Sequence, residues 1–102
     1  MSEQAVVVKF DYRTTDLDAL FELEDELEAI LEDGDVGEYD GHEIAVDGSD
    51  GLLYMYGPNA DAIFEKVRPT LARSKAIKNV VATLRYGPPE DGVHAQTIPV
   101  AA

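Results

Sequence analysis

The residues best suited to chemistry are two histidines, one glutamate inside an apolar helical stripe, and two tyrosines on one short strand. His42 and His94 do not form a pair with metal-ligand spacing, and the HxH and HExxH patterns are absent. The chain contains no cysteine, which excludes thiolate ligands and nucleophiles. Acidic turns at residues 33–37 and 47–51 lack the glutamate that completes an EF-hand calcium loop. The sequence therefore predicts no metal site.

Nucleophilic and cofactor-dependent chemistry also lacks its usual motifs. The serines are Ser2, Ser49 and Ser74, and none of them lies in a GxSxG elbow. The phosphate-binding patterns GxxxxGKS/T and GxGxxG do not occur, so nothing implies ATP or NAD. We therefore expect no cofactor.

Glu24 falls within an apolar sector of a predicted helix, between Leu20, Leu27 and Leu31 at 100° per residue. Its side chain is long enough to carry the charge to the rim of that sector, and we interpret it in this way. The alternative is a buried catalytic carboxylate. Because no other catalytic motif supports that alternative, we expect a protein that is not an enzyme and has no catalytic residues.

Charge is the extreme property of the composition, with a net value of −13. Residues 1–51 carry 17 acidic and two basic residues, for a net charge of −15, whereas residues 52–102 carry four acidic and six basic residues, for +2. Phosphate contacts need clustered cations, so direct nucleic-acid binding is disfavoured. Three explanations of the acidity stay open: solubility, adaptation to high salt, and attraction to a basic partner.

The element that organises the chain is a strand–turn–helix unit over residues 51–71. Its strand alternates, with Leu53 and Met55 on one face and Tyr54 and Tyr56 on the other. Gly57 and Pro58 end the strand, and Asn59 is the predicted N-cap of the second helix. Whether the tyrosines or Leu53 and Met55 face the core is left open by the pattern.

The remaining elements complete the fold prediction. The first strand is predicted over 5–12, and Thr14, Thr15 and Asp16 signal the start of a helix that ends near Glu32, with Gly34 as its stop. Further strands are predicted over 42–46 and 79–86, and residues 93–100 could add a short C-terminal edge strand. The order β-α-β-β-α-β predicts a single α+β domain, residues 1–102, with a ferredoxin-like sandwich in which two helices cover one face of a four-stranded antiparallel sheet.

Pro69 interrupts the second helix opposite its apolar stripe. We interpret it as a bend that wraps the helix around the core, because a bend at this position is convex to solvent.

Two surfaces are candidates for interaction. The first is the acidic face of the first helix. Neighbouring like charges destabilise a helix, so a sequence that keeps them indicates a binding role for this face. The second is the tyrosine face of the strand at 52–56. The basic residues between 66 and 78, near the end of the second helix, form an opposing basic band. Self-association between the acidic face and this basic band therefore stays open. The candidate interaction residues are Asp18, Phe21, Glu22, Asp25, Glu32, Tyr54 and Tyr56.

The segment YMYGPNADAIFEKVRPTL is similar to part of small uncharacterised bacterial α+β domains of about this length, and the layout resembles the ferredoxin-like superfold. This resemblance implies a fold and no functional residues. Domains of this kind often pair through their sheets, which implies a homodimer.

The first functional hypothesis is a non-catalytic protein-interaction module that docks or neutralises a basic partner, in the manner of an immunity protein. The alternative is a small-ligand-binding or small enzyme domain of the dimeric α+β barrel type, with a pocket formed by His42, Tyr54, Tyr56 and Arg85. A salt-adapted acidic protein is the third hypothesis. No apolar run is long enough to cross a membrane and no secretory signal is seen, so we expect a cytoplasmic protein without membrane contact.

Overall fold

A computed structural model describes residues 3–12, 16–75, 77–87 and 92–100 of the chain. Thr14 and Thr15 of the predicted helix start and the proline pair at 88–89 lie outside these residues. The elements follow in the order β1 (Gln4–Asp11), α1 (Asp18–Gly34), β2 (Glu38–Ile44), β3 (Asp50–Gly57), α2 (Ala60–Arg73), β4 (Lys78–Arg85) and β5 (Ala95–Pro99).

The five strands form one antiparallel sheet in the order β2-β3-β1-β4-β5. β5 pairs with β4 over its whole length, from Val81 opposite Pro99 to Arg85 opposite Ala95. The predicted four-stranded ferredoxin-like sandwich is therefore wrong. The alternation of β5 is weak because Ala95 and its next two residues are exposed, so the strand is held by backbone pairing and leaves little hydrophobic pattern.

The core lies between the helices and one face of the sheet. The apolar stripe of α1 is buried at Leu20, Leu23, Leu27 and Leu31, which confirms its predicted direction. The stripe of α2 is likewise buried from Ala60 to Leu71. From the sheet, alternate residues contribute to the same core. These are Val6, Val8, Phe10, Leu53, Met55, Val80, Ala82 and Leu84.

The ends of the two helices can be compared with the capping residues predicted from the sequence. Asn59 caps α2 as predicted, since its side chain accepts a hydrogen bond from the Ala62 amide at 3.1 Å. α1 continues to Gly34, and Asp35 takes the left-handed conformation (φ 52°, ψ 39°), so the predicted stop at Gly34 lies one residue early. Pro69 lies inside α2 on its exposed side, as expected.

β2 begins earlier than predicted. Residues 38–41 are a strand, although their composition indicates a turn, and the connection to β3 occupies residues 45–49. The strand accommodates this composition through a register shift between Tyr39 and Gly41, where Gly41 has φ 128°. None of the helices in the described ranges is long and apolar enough to span a membrane.

Candidate functional site

Glu24 is held in a polar cluster between α1 and the edge strand β2. Its side chain is only 14% exposed. The Tyr39 hydroxyl donates a hydrogen bond to Glu24 Oε2 at 2.8 Å, and His42 Nδ1 lies 2.7 Å from Glu24 Oε1. Instead of reaching solvent at the rim, the carboxylate therefore turns towards the sheet and meets partners from another element.

The irregularity in β2 is what places both partners on the helix side. In a regular strand, residues 39 and 42 are three apart and point to opposite faces. The register shift changes this, because Tyr39 pairs with Met55 and His42 pairs with Leu53. Met55 and Leu53 are fully buried on the face that the helices cover. Tyr39 and His42 consequently both face α1.

The environment holds Tyr39 in its protonated form. Burial, followed by the hydrogen bond to Glu24 and the negative charges of Glu24 and Glu28, raises the pKa of Tyr39 well above its usual value. The phenol therefore remains a hydrogen-bond donor at any physiological pH. Its pairing with Glu24 compensates part of the cost of removing a carboxylate from water.

The contact of His42 with Glu24 is a close approach of Nδ1 to Oε1 rather than a well-aligned hydrogen bond. Glu24 Oε1 is fully covered, and among the described residues no group meets hydrogen-bond geometry with it. The His42 ring, 26% exposed, also lies 6.0 Å from the Phe21 ring, centroid to centroid, at an angle of 51°. A carboxylate beside one ring nitrogen orients an imidazole, which is the arrangement found in proton-transfer sites and in simple structural pairs alike.

Three of the four residues predicted to form a pocket come together. His42, Tyr54 and Tyr56 line one open depression of about 310 Å³ beside Asp40 and Glu43 at the edge of the sheet, although the His42 ring faces α1 and the two tyrosines face away from it. Glu24 does not line it.

Arg85 lies on the same face but is separated from Tyr56. Both residues are paired with Ala5 of β1, on opposite sides of that strand. Two strand spacings, roughly 10 Å, therefore lie between their backbones. The Arg85 Nε donates a hydrogen bond to the Gly87 carbonyl at 2.7 Å. The four residues do not form a single pocket.

The tyrosines of β3 lie on the sheet face away from the helices, because their neighbours Leu53 and Met55 are buried. We call this surface the open sheet face; its half-buried apolar and aromatic side chains are Val7, Leu52, Tyr54, Tyr56 and Val81. Partial burial and the neighbouring Glu43 carboxylate raise the pKa of Tyr54.

Histidine pairing does not occur across the molecule. His42 is in the edge strand β2, whereas His94 directly precedes β5 at the opposite edge of the sheet. The His94 ring stacks on Tyr86, with centroids 5.3 Å apart. Within the described part of the chain, no three histidine, aspartate or glutamate side chains converge as metal ligands.

The acidic candidates on α1 all lie on its exposed side. Asp18, Glu22 and Asp25 are close to Phe21 in the helix, and Glu32 lies about three turns further along; the Phe21 side chain is 47% exposed. We call these five residues the α1 acidic face. The basic band is near its margin: Arg73 and Lys75 line a shallow depression together with Glu22 and Glu26.

Comparison with solved structures supports the fold. The chain superposes on the structure of Rv0793 from Mycobacterium tuberculosis with a TM-score of 0.58 and 20% sequence identity, over 89% of this chain and 99% of that chain. At this identity the similarity concerns the fold alone. No protein-family model and no curated protein matches the sequence. What is established is a small α+β domain with an antiparallel sheet and two helices.

Proposed function

We propose that the protein is a non-catalytic interaction module that docks a basic protein partner through the α1 acidic face. The observation that supports this is Phe21, a large aromatic side chain 47% exposed among exposed carboxylates. Aromatic residues at the centre of a polar rim are the usual anchors of protein interfaces. Carboxylates around such an anchor accelerate association with a cationic surface.

The cost of keeping this face acidic also supports a binding role. Asp18 and Glu22 are four residues apart, and Glu22 and Asp25 are three apart, so like charges are neighbours on the helix. Each such pair destabilises a helix by about 0.3 kcal/mol. A cationic partner would relieve this repulsion on binding.

The test is a capture experiment with matched charge reversals. The immobilised wild-type protein, a face variant (Phe21→Ala, Glu22→Lys, Asp25→Lys) and a control variant (Glu3→Lys, Glu65→Lys) are incubated with lysate of the source cells. Glu3 and Glu65 are exposed and lie outside the α1 acidic face. We expect a basic protein to be retained by the wild type and the control, lost by the face variant, and released at moderate salt. Identical capture by all three proteins would contradict the proposal.

We further propose that the chain forms a homodimer through the open sheet face. This is favoured by the half-buried Tyr54 and Tyr56, since contiguous uncovered apolar surface is typical of interfaces. Lys9 and Glu43 on either side of Leu52 supply charges of both signs, which suits a self-complementary contact.

Sedimentation distinguishes this dimer from other forms of association. We expect the wild type to sediment as a dimer at micromolar concentration and the variant Tyr54→Asp to be monomeric. The variant Phe21→Asp, with the same charge change on α1, should remain dimeric. A monomeric wild type, or a dimer that is lost only with Phe21→Asp, would exclude the open sheet face.

A further inference from the structure

A further open depression, larger than those described above, lies at the end of the sheet where α2 stops, β4 begins and β5 ends. It has a volume of about 830 Å³, within the range of small-molecule sites. Its apolar lining includes Leu71, Ile77, Val80 and Val100, which are all more than nine-tenths buried. We call it the β4–β5 cavity.

The charge at this cavity is opposite to that of the protein. The chain has 21 acidic and eight basic residues. Lys75 and Lys78 nevertheless line the β4–β5 cavity, and no described aspartate or glutamate does so. Both lysines are exposed, so their ammonium groups can meet a ligand from solvent without prior desolvation.

The backbone at the mouth of the cavity departs from regular strand geometry. Asn79 has φ 52°, a left-handed conformation that is uncommon for a residue other than glycine. Its side-chain amide donates a hydrogen bond to Asp11 Oδ2 at 2.7 Å. The pairing of β1 with β4 shifts register between Lys9 and Asp11, next to this point. Asn79 therefore engages the nearby carboxylate of Asp11, which does not line the cavity.

We infer that the β4–β5 cavity binds a small monocarboxylate with an apolar body, such as a medium-chain acid. Its apolar lining accommodates the body, and Lys75 and Lys78 bind the carboxylate at the mouth. The C-terminal end of α2 opposes an anion, but its partial charge is only about half an elementary charge. The two ammonium charges exceed it even with the Asp11 carboxylate, which is opposite Lys78 in the pairing of β1 with β4.

Lys75 also lines the depression that contains Glu22 and Glu26, so it has acidic neighbours outside the β4–β5 cavity. Lys78 lines only the β4–β5 cavity among the depressions described above. Both lysines must therefore be changed together in a test, and low ionic strength is needed to keep the contact from being screened.

The experiment is an amide NMR titration of the full chain with octanoate, below its micelle concentration. We expect saturable shifts at Ile77, Val80 and Val100. The variant Lys75→Gln, Lys78→Gln should bind octanoate about fivefold more weakly, since exposed charge contacts contribute modestly. The control Lys66→Gln, Arg68→Gln removes the same charge from the exposed side of α2, outside the cavity lining, and should bind as the wild type does.

Two further measurements complete the test: a titration with octanol and a series of protein concentrations without ligand. Octanol has the same apolar body without the charge and should bind about fivefold more weakly than octanoate. Equal binding of octanol and octanoate, an unchanged affinity in the lysine variant, or shifts that never saturate would each overturn the inference. It would also be overturned if the same amides shifted with protein concentration alone, because a second copy would then occupy the cavity.

Discussion

Tyr39 on β2 donates a 2.8 Å hydrogen bond to Glu24 on α1, and this bond joins a helix to the edge of the sheet. The other carboxylate oxygen of Glu24 lies 2.7 Å from His42 Nδ1. The carboxylate is only 14% exposed, and the Tyr39 hydroxyl supplies one of the hydrogen bonds that it loses from water. The cluster therefore fixes the position of α1 relative to β2, and with it the position of Phe21 beside the His42 ring.

Removing the Tyr39 hydroxyl should destabilise the fold. Tyr39→Phe leaves Glu24 Oε2 without its donor, and loss of a hydrogen bond to a charged group costs about 2 kcal/mol. We expect the free energy of unfolding, measured by urea titration at pH 7, to fall by about that amount. Tyr56→Phe is the control, because Tyr56 is on the open sheet face; it should change the value by less than about 0.5 kcal/mol. Equal effects of the two substitutions would show that Glu24 gains nothing from Tyr39.

The raised pKa of Tyr39 predicts a loss of stability at alkaline pH. Above pH 10, the usual tyrosine pKa, Tyr39 loses its proton in the unfolded chain but keeps it in the folded protein. The folded state then binds more protons, so the free energy of unfolding falls as pH rises, by up to about 1.4 kcal/mol per pH unit for this group. Below pH 10 the contribution is fully present.

Unfolding experiments between neutral pH and pH 11 can detect this dependence. We expect the decline of the wild type above pH 10 to be steeper than that of Tyr39→Phe, which lacks the titrating group. Tyr54→Phe serves for comparison, since the pKa of Tyr54 is also raised but its ring is on the open sheet face. Parallel declines of the wild type and Tyr39→Phe would be inconsistent with a protonated, buried Tyr39.

Much of the fold follows from local patterns in the sequence. The 3.6-residue stripes predict which sides of α1 and α2 are buried, and Asn59 marks the start of α2. β5 could not be predicted firmly because its side chains are mostly exposed, and an exposed edge strand carries no strong apolar alternation. Its existence depends on backbone pairing with β4, which is a long-range property.

The polar cluster was missed for a related physical reason. Glu24 is visible in the sequence as a charge in an apolar sector, but its partners are on another element. Tyr39 and His42 share a face only because of the register shift beside Gly41. Gly41, between Asp40 and His42, was the available signal, since glycine within a strand often marks a bulge.

The close approach of Gly37 and Gly57 gives a prediction about packing. A Cβ on Gly57 would lie 2.4 Å from the Val36 carbonyl oxygen, which is backbone and cannot move away easily. Gly57→Ala should therefore lower the free energy of unfolding by about 3 kcal/mol. Gly34→Ala is the matched control: its Cβ would meet only the Lys66 side chain at 3.5 Å, an ordinary contact.

Because Gly34 lies at the end of α1 with helical backbone, the control should raise the free energy of unfolding by about 0.5 kcal/mol. Urea unfolding of both variants checks the pair. A similar loss of stability in both proteins would show that the effect is general to glycine replacement and does not arise from the contact with Val36.

The hypothesis of salt adaptation predicts a specific dependence on KCl. Repulsion on the α1 acidic face acts over distances that salt screens, since the Debye length falls from about 10 Å at 0.1 M to about 3 Å at 1 M. We expect the thermal midpoint of the wild type to rise with KCl.

The variant Glu22→Gln, Asp25→Asn removes two exposed charges from this face and should be about 0.5 kcal/mol more stable than the wild type at 0.1 M KCl. The thermal midpoints of the two proteins should converge at 1 M KCl, because the salt then screens the repulsion that the substitutions remove. If their midpoints instead rise in parallel, the salt effect does not originate at Glu22 and Asp25, and the acidity of this face is better explained by a basic partner.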